Sequence, residues 1–333
     1  MEYPEDLKLD PKDIEERGVL RAGSKRTIRS RVGILLSIYF LDGWKKEKRQ
    51  ALLDNLEDYL TLFADKITHF QPYGDGNSKR MRRYKGKGSV EDFSGATSLD
   101  VSETAYLFAQ HVDMAEPDDP SLYMFMAFGH QQGPKKPLSG MKVYLPPSFV
   151  FENPDRYVEL VTRWSDRLGA IHGSSGLGVL SMPGSELMED AYHYPWMMHY
   201  PGLEYDAMGT YWAQCDEGGY ERPRSSNWLT ILGSANLDAL GGEDAMIREK
   251  LTPDIEVKRY SGGVVLRAGK LPVLGTAETG GVPKTYQTVA RFVEPIRFED
   301  YRYNIMKLPR PMLDLDREVR LQVTLNWLRR FDQ

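Results

Sequence analysis

From Val32 to Leu41 the chain reads Val-Gly-Ile-Leu-Leu-Ser-Ile-Tyr-Phe-Leu, apolar or β-branched almost throughout. The run is too short to cross a bilayer, which takes roughly 20 residues, and its composition predicts a buried strand. A helix is expected directly after it, from about Lys45 to Ala64, because Leu52, Leu53, Leu56, Tyr59, Leu60 and Phe63 fall on one helical face. Any fold open to this chain has to bury that strand and helix together.

The remaining patterns mix two kinds of unit. Leu122–Gly129 and Met141–Leu145 predict core strands. Asn153-Pro154 predicts a helix start, with Asn as N-cap and Pro at the first helical position, and the apolar stripe Tyr157, Leu160, Val161, Trp164, Leu168 carries that helix to Gly169. Leu177–Met182 reads as a short strand, and Trp228–Leu232 as a strand entering a helix at Ala235–Leu240. Ile255–Tyr260 and Val264–Ala268 flank Ser261-Gly262-Gly263, a hairpin signal. A last helix is expected over about Asp316–Phe331. Hairpins mixed with strand-helix units predict an α+β fold with a largely antiparallel sheet rather than a doubly wound parallel one. Residues 1–20 read as a loosely held acidic arm and 21–333 as one domain, with two similarly built lobes dividing near 150 left open.

The charge balance narrows function. The formal net charge of −5 is unlike the basic excess of a general nucleic-acid binder. The basic cluster Lys79-Arg80-Met81-Arg82-Arg83-Tyr84-Lys85 sits among glycines in 72–95 and reads as a solvated loop or edge strand. Cys215 is the sole cysteine, so no intramolecular disulfide can form, as suits a reducing cytoplasm. The acidic start Met1-Glu2-Tyr3-Pro4-Glu5-Asp6 lacks the basic and apolar regions of a signal peptide. A soluble, cytoplasmic protein with no membrane contact is expected.

No catalytic constellation can be assembled. The six histidines (69, 111, 130, 172, 193, 199) include no pair spaced for one helical face. Cys215 is flanked by Asp216 and Glu217, which disfavour a thiolate. Gly173-Ser174-Ser175-Gly176-Leu177-Gly178 follows a helix and precedes a strand, the reverse of a dinucleotide fingerprint, so it is expected as a helix-to-strand turn. The expectation is a protein that is not an enzyme and uses no cofactor or metal.

One segment departs from the rest. Between Arg167 and Arg222 lie 54 residues with no lysine or arginine, in a chain with 43 basic residues in 333. They hold eight carboxylates (Glu186, Glu189, Asp190, Glu204, Asp206, Asp216, Glu217, Glu221) and eight aromatics, among them Tyr205, Tyr211 and Trp212. An anionic surface bearing Tyr and Trp would suit a partner with a cationic cleft. Glu186, Glu189, Asp190, Glu204, Tyr205, Asp206, Tyr211, Trp212, Asp216 and Glu217 are the partner-binding candidates. The alternative stays open that Trp196, Tyr200 and Trp212 are core and the acids are scattered on solvated faces.

The C-terminal third carries short blocks that look like scaffold: Asn227–Gly233, Val264–Gly275, Tyr286–Ala290, Val293–Arg297 and Trp327–Asp332. Their order and spacing resemble the TsiV family of type VI secretion immunity proteins, with a looser resemblance near 32–63 and 141–182. The resemblance implies a bacterial protein that neutralises a toxic effector, notably a nuclease with a VRR-NUC domain, by stoichiometric occlusion. Two other classes stay in view: an enzyme that modifies the toxin or its product, and an adaptor of the secretion machine.

Overall fold

The computed structural model describes residues 6–332 other than 25, 72–80, 87–89, 116–118, 134–137, 182–189, 216–217, 243–250 and 252. The chain begins with α1 (Pro11–Arg17), β1 (Val19–Ala22), β2 (Thr27–Phe40) and α2 (Lys46–Phe63). The strands β3 (His69–Gln71), β4 (Arg82–Arg83), β5 (Ala105–Gln110), β6 (Met124–Gly129) and β7 (Ser139–Leu145) follow. Next come α3 (Pro147–Glu152), α4 (Pro154–Leu168), β8 (His172–Leu180), α5 (His193–His199) and α6 (Met208–Cys215). The rest comprises β9 (Leu229–Gly233), α7 (Ser234–Ala239), β10 (Ile255–Tyr260), β11 (Gly263–Ala268), α8 (Lys284–Val293), α9 (Arg310–Leu313) and α10 (Arg317–Leu328).

The eleven described strands form one sheet in the order β10-β11-β9-β8-β2-β7-β6-β5-β3-β4, with β1 paired to the start of β2. All these pairings are antiparallel, so the fold is α+β. The sheet and its core continue across residue 150: β2 pairs with β7 on one side and β8 on the other.

The run that constrained the fold lies inside β2, where residues 32–40 are all buried. A strand buried on alternate residues would need only one covered face. This one is covered on both. On one face α2 packs beside α4, tied by Trp164 Nε1 donating to Asp58 at 3.0 Å and by an Arg167–Asp58 ion pair at 2.7 Å. The other face carries the chain from 193 to 227 and the C-terminal elements. Scaffold residues Trp228, Leu266, Tyr286 and Trp327 are at most 2% exposed.

One expectation is corrected. The small-residue stretch Gly173–Gly178 is not a turn: it lies within β8, whose nine residues are all buried. The strand tolerates these residues because other groups press onto it; a Cβ on Gly176 would meet Asn227 Oδ1 at 2.3 Å, and one on Gly173 the Ser37 carbonyl oxygen at 2.4 Å. Asn153 stands at the N-cap of α4 and Pro154 at its first turn, as expected, although the Asn153 side chain makes no cap bond and its Nδ2 instead donates to Phe149 O at 3.4 Å. Near the start of the chain, Leu7 and Ile14 reach the core. Ile14 is fully buried, and the Leu7 amide donates to the Tyr200 hydroxyl at 2.7 Å. Gly169 ends α4 in the left-handed conformation (φ 56°), as expected of a C-cap glycine.

Candidate functional site

Charged side chains gather at one place inside the molecule, against the centre of the sheet. Strand periodicity puts Tyr39 of β2 and Lys142 of β7 on the face opposite α2 and α4. The segment after α5 crosses that face and hydrogen-bonds β8: Val179 N donates to Glu204 O and Glu204 N to Leu177 O. This delivers Glu204 and Asp206 to the sheet, both essentially without solvent exposure.

Arg224 is their counterion. Its Nη2 lies 2.9 Å from Glu204 Oε1, its Nε 3.7 Å from Asp206 Oδ1, and its Nη1 donates to Tyr205 O at 2.5 Å. The Tyr39 hydroxyl reaches both Asp206 oxygens, at 2.9 and 2.7 Å. Buried Lys142 donates to Asp206 O at 3.1 Å. Ser225 Oγ and the Tyr205 amide donate to the Glu204 carboxylate at 3.2 and 3.0 Å. The carboxylates are thus both paired and hydrogen-bonded, as burial demands.

The ionisation of the neighbours follows from burial. Burial alone would pull the Arg224 guanidinium down, but Asp206 and Glu204 outweigh it and hold the group well above its usual range. Tyr39 is pushed well above the phenol range by burial first and by Asp206 second. His172 is pushed down to about 4, chiefly by burial, so it is neutral at neutral pH. Its Nε2 lies 2.9 Å from the Tyr220 carbonyl oxygen, which can only accept, so the ring carries its proton there. The Tyr211 hydroxyl in turn donates to Arg222 O at 2.9 Å.

A further cation, half-buried Arg330, ties the C-terminus to the segment that carries Glu204. Arg330 lies 4.1 Å from the Trp327 ring centroid and 4.3 Å from that of Phe331. Its Nε donates to Pro201 O at 2.8 Å and its Nη2 to Leu203 O at 3.3 Å. Arg297 grips Asp332 through two bonds of 2.8 and 2.6 Å.

This placement corrects the sequence-based surface. Glu204, Tyr205, Asp206 and Tyr211 are interior, at most 2% exposed, and present nothing to a partner in the free chain. The physical reason is charge supply: the segment holds no base of its own, but Arg224 stands three residues beyond its end and Lys142 comes from β7. Of the aromatics offered as alternatives, Trp196 and Tyr200 are core. Trp212 is half-buried and stacks on His130 with ring centroids 5.0 Å apart. Glu186, Glu189, Asp216 and Glu217, and the side chain of Asp190, lie outside the described residues. Sequence reasoning missed Arg224, Tyr39, His172 and Lys142. Only Arg224 left a trace, as a base leading the small polar run Ser225-Ser226-Asn227.

What the cluster can do chemically is limited by access. Tyr39, Asp206, Glu204, Arg224 and His172 are all at most 4% exposed, so a substrate has no path to them in this conformation. Among the described residues no group of three His, Cys, Asp or Glu is placed to hold a metal ion, and no helix is long and apolar enough to cross a membrane.

Comparison with known proteins takes in both the scaffold and most of the cluster. The family model described as "TsiV: Type VI immunity for VRR-NUC" matches residues 51–331. Among solved structures, a Pseudomonas aeruginosa T6SS protein, PA0821, superposes with a TM-score of 0.78 at 20% sequence identity, covering 92% of this chain and 83% of that one. At that identity the likeness establishes the fold. No curated protein matches the sequence.

Proposed function

The chain belongs to the TsiV family of type VI immunity proteins, and from that premise we propose that it binds a cognate antibacterial effector with a VRR-NUC nuclease domain and neutralises it by stoichiometric occlusion. The observation that carries the reading is the family match across 51–331, which spans β3 to β11 and the last helix, α10. The sealing of the ionic cluster supports it. A turnover mechanism needs reactive groups that a substrate can touch, whereas these groups serve to hold the 200–227 segment against the sheet. Binding without a cofactor is the function such an arrangement favours.

The proposed contact residues are Trp212, as an aromatic anchor, and Glu186, Glu189, Asp190, Asp216 and Glu217, as the anionic part. A nuclease must present a cationic face to DNA, and an anionic partner meets it with complementary potential. Because the nuclease's target is DNA, the place of action is the cytoplasm of the protected cell.

The test is titration of the purified effector's nuclease activity, with co-expression in cells. One protomer per effector should abolish cleavage and restore growth. Protection at a small fraction of an equivalent, with repeated turnover, would sink the occlusion reading and favour an enzyme acting on the toxin.

A further inference from the structure

Beside the first hairpin lies an open cleft of about 460 Å³, whose walls include Arg21, Ile28, Arg31, Asp119, Leu122 and Tyr123. None of these belongs to the ionic cluster or to the proposed contact residues. Sites for small molecules enclose roughly 300–1,000 Å³, so the cleft is large enough for one.

The pairing of β1 with β2 explains why two arginines share this wall. Val19 pairs with Arg31 and Leu20 with Ser30, but Arg21 pairs with Ile28, so the register shifts between Leu20 and Arg21 and leaves Arg29 as the extra residue. In a regular strand Ile28 and Arg31 would point to opposite faces. The bulge puts both on the side of β1 that bears Val19 and Arg21, because directly paired residues share a face. Arg21, Ile28 and Arg31 thereby reach one cleft.

Arg31 is a half-buried guanidinium that lacks a counterion. Its Nη1 donates to Pro120 O at 3.2 Å and its Nη2 to Glu15 O at 3.3 Å. Among the described residues its buried Nε has no hydrogen-bond partner, and no carboxylate comes within ion-pair distance of the group. Burial holds its pKa below the usual range, with Asp119 and Glu15 opposing that from farther off. Cations taken out of water are ordinarily paired. Exposed Arg21 spends one bond on Arg26 O, at 3.1 Å, and adds a second positive charge to the same wall. The Tyr123 hydroxyl donates to no described residue.

The other wall says which anion fits. Asp119 and Asp113 also line the cleft. Their Oδ1 atoms accept from the amides of Ile28 at 3.0 Å and Ala115 at 2.9 Å, which holds both acids in place. Two carboxylates against two guanidinium groups repel a doubly charged phosphate more than a single carboxylate. A carboxylate also matches the planar, forked donors of arginine. Ile28, Pro120 and Leu122 offer apolar contact to the body of such a ligand.

We propose that this cleft binds a small organic monocarboxylate with an apolar body, its carboxylate held between Arg31 and Arg21. The test is calorimetric titration of the full chain with hexanoate, with benzoate and with inorganic phosphate, at fixed ionic strength. A carboxylate should bind saturably, at one site per chain and more tightly than phosphate. Arg31→Gln removes the charged donors and should weaken that binding by roughly ten- to a hundredfold. Arg31→Lys should recover only part of the loss, since an ammonium has no fork. Arg21→Ala, at an exposed position, should weaken binding by about two- to fivefold and leave the melting temperature unchanged. Heats that fail to saturate with both carboxylates overturn the proposal, and so does phosphate binding more tightly than either. Wild-type affinity in Arg31→Gln overturns it as well. Should that variant not fold, Arg21→Ala decides: carboxylate binding at wild-type strength there removes the ligand from this cleft.

Discussion

Replacing Arg224 by Met tests whether the buried cluster holds the molecule together. The substitution keeps the aliphatic volume and deletes the cation. Glu204 and Asp206, both essentially unexposed, would then lack the guanidinium that lies 2.9 and 3.7 Å from them, and Tyr205 O would lose its donor. Removing one partner of a buried ion pair costs about 3–5 kcal/mol, because the remaining charge stays desolvated and uncompensated. At about 2.1 cal/mol/K per residue, a chain of 333 residues has an unfolding entropy of roughly 0.7 kcal/mol/K, so Tm should fall by about 4–7 °C. Lys at 224 should not restore it, since an ammonium cannot reproduce the forked geometry. The decisive comparison is the triple variant Arg224→Met, Glu204→Gln, Asp206→Asn. Neutralising the acids removes the uncompensated charge, so the triple variant should recover more than half of the loss. Denaturant and thermal unfolding measure all of these. An Arg224→Met protein within about 1 kcal/mol of wild type, or a triple variant whose loss equals the sum of its parts, would show that the cluster is not the electrostatic keystone argued above.

Four further outcomes are expected. His172 is depressed from 6.5 to about 4 in the folded chain, so the unfolded chain binds the proton first; the stability present above pH 6.5 should fall away between pH 6.5 and 4, by roughly 3 kcal/mol in all, and His172→Gln should flatten that slope in pH-dependent denaturation. Trp228→Ala and Trp327→Ala, both at most 2% exposed, should each cost about 3–5 kcal/mol, and unchanged melting in either would contradict its core role. Gly176→Val should destabilise by about 1–3 kcal/mol, since its Cβ lands 2.3 Å from Asn227 Oδ1. Trp212→Ala should lose at least about 2 kcal/mol of effector affinity while the protein stays folded; equal dissociation rates for both proteins would remove Trp212 from the interface.

Local patterns gave most of the fold. The β2–α2 unit, α4 with its terminal glycine, the β10–β11 hairpin and the last helix were all legible, because each is set by periodicity or turn chemistry within a few residues. The extent of β8 was not. Glycine and serine are poor strand formers in isolation, and what makes them fit is the Asn227 side chain and the Ser37 carbonyl, which arrive from distant parts of the chain. The cluster was invisible for the same reason. Glu204 and Asp206 look like surface acids until Arg224, Lys142 and Tyr39 are brought to them, the last from a strand more than 160 residues away. A lack of local bases is compatible with a solvated anionic face and with acids neutralised from elsewhere, and only tertiary contacts separate the two.

That distinction bears on how the 200–227 segment could serve recognition. Its inner side is held by three cations from outside its own basic-free stretch: Arg224 just past its end, Lys142 from β7 and Arg330 from the C-terminus. Its outer side carries Trp212, stacked on His130. A loop fixed from within loses little entropy when a partner docks on it, so affinity depends on the inner contacts as well as the outer ones. Variants of the two kinds should therefore separate kinetically. A change at Trp212 removes contact area and acts on dissociation. A change at Arg330 loosens the latch onto Pro201 and Leu203 without touching a partner, so it lowers the fraction of chains that are competent to bind and slows association in proportion. Slower association with unaltered dissociation in Arg330→Met would identify the ionic interior as the device that presents the surface, and identical kinetics would confine its role to stability.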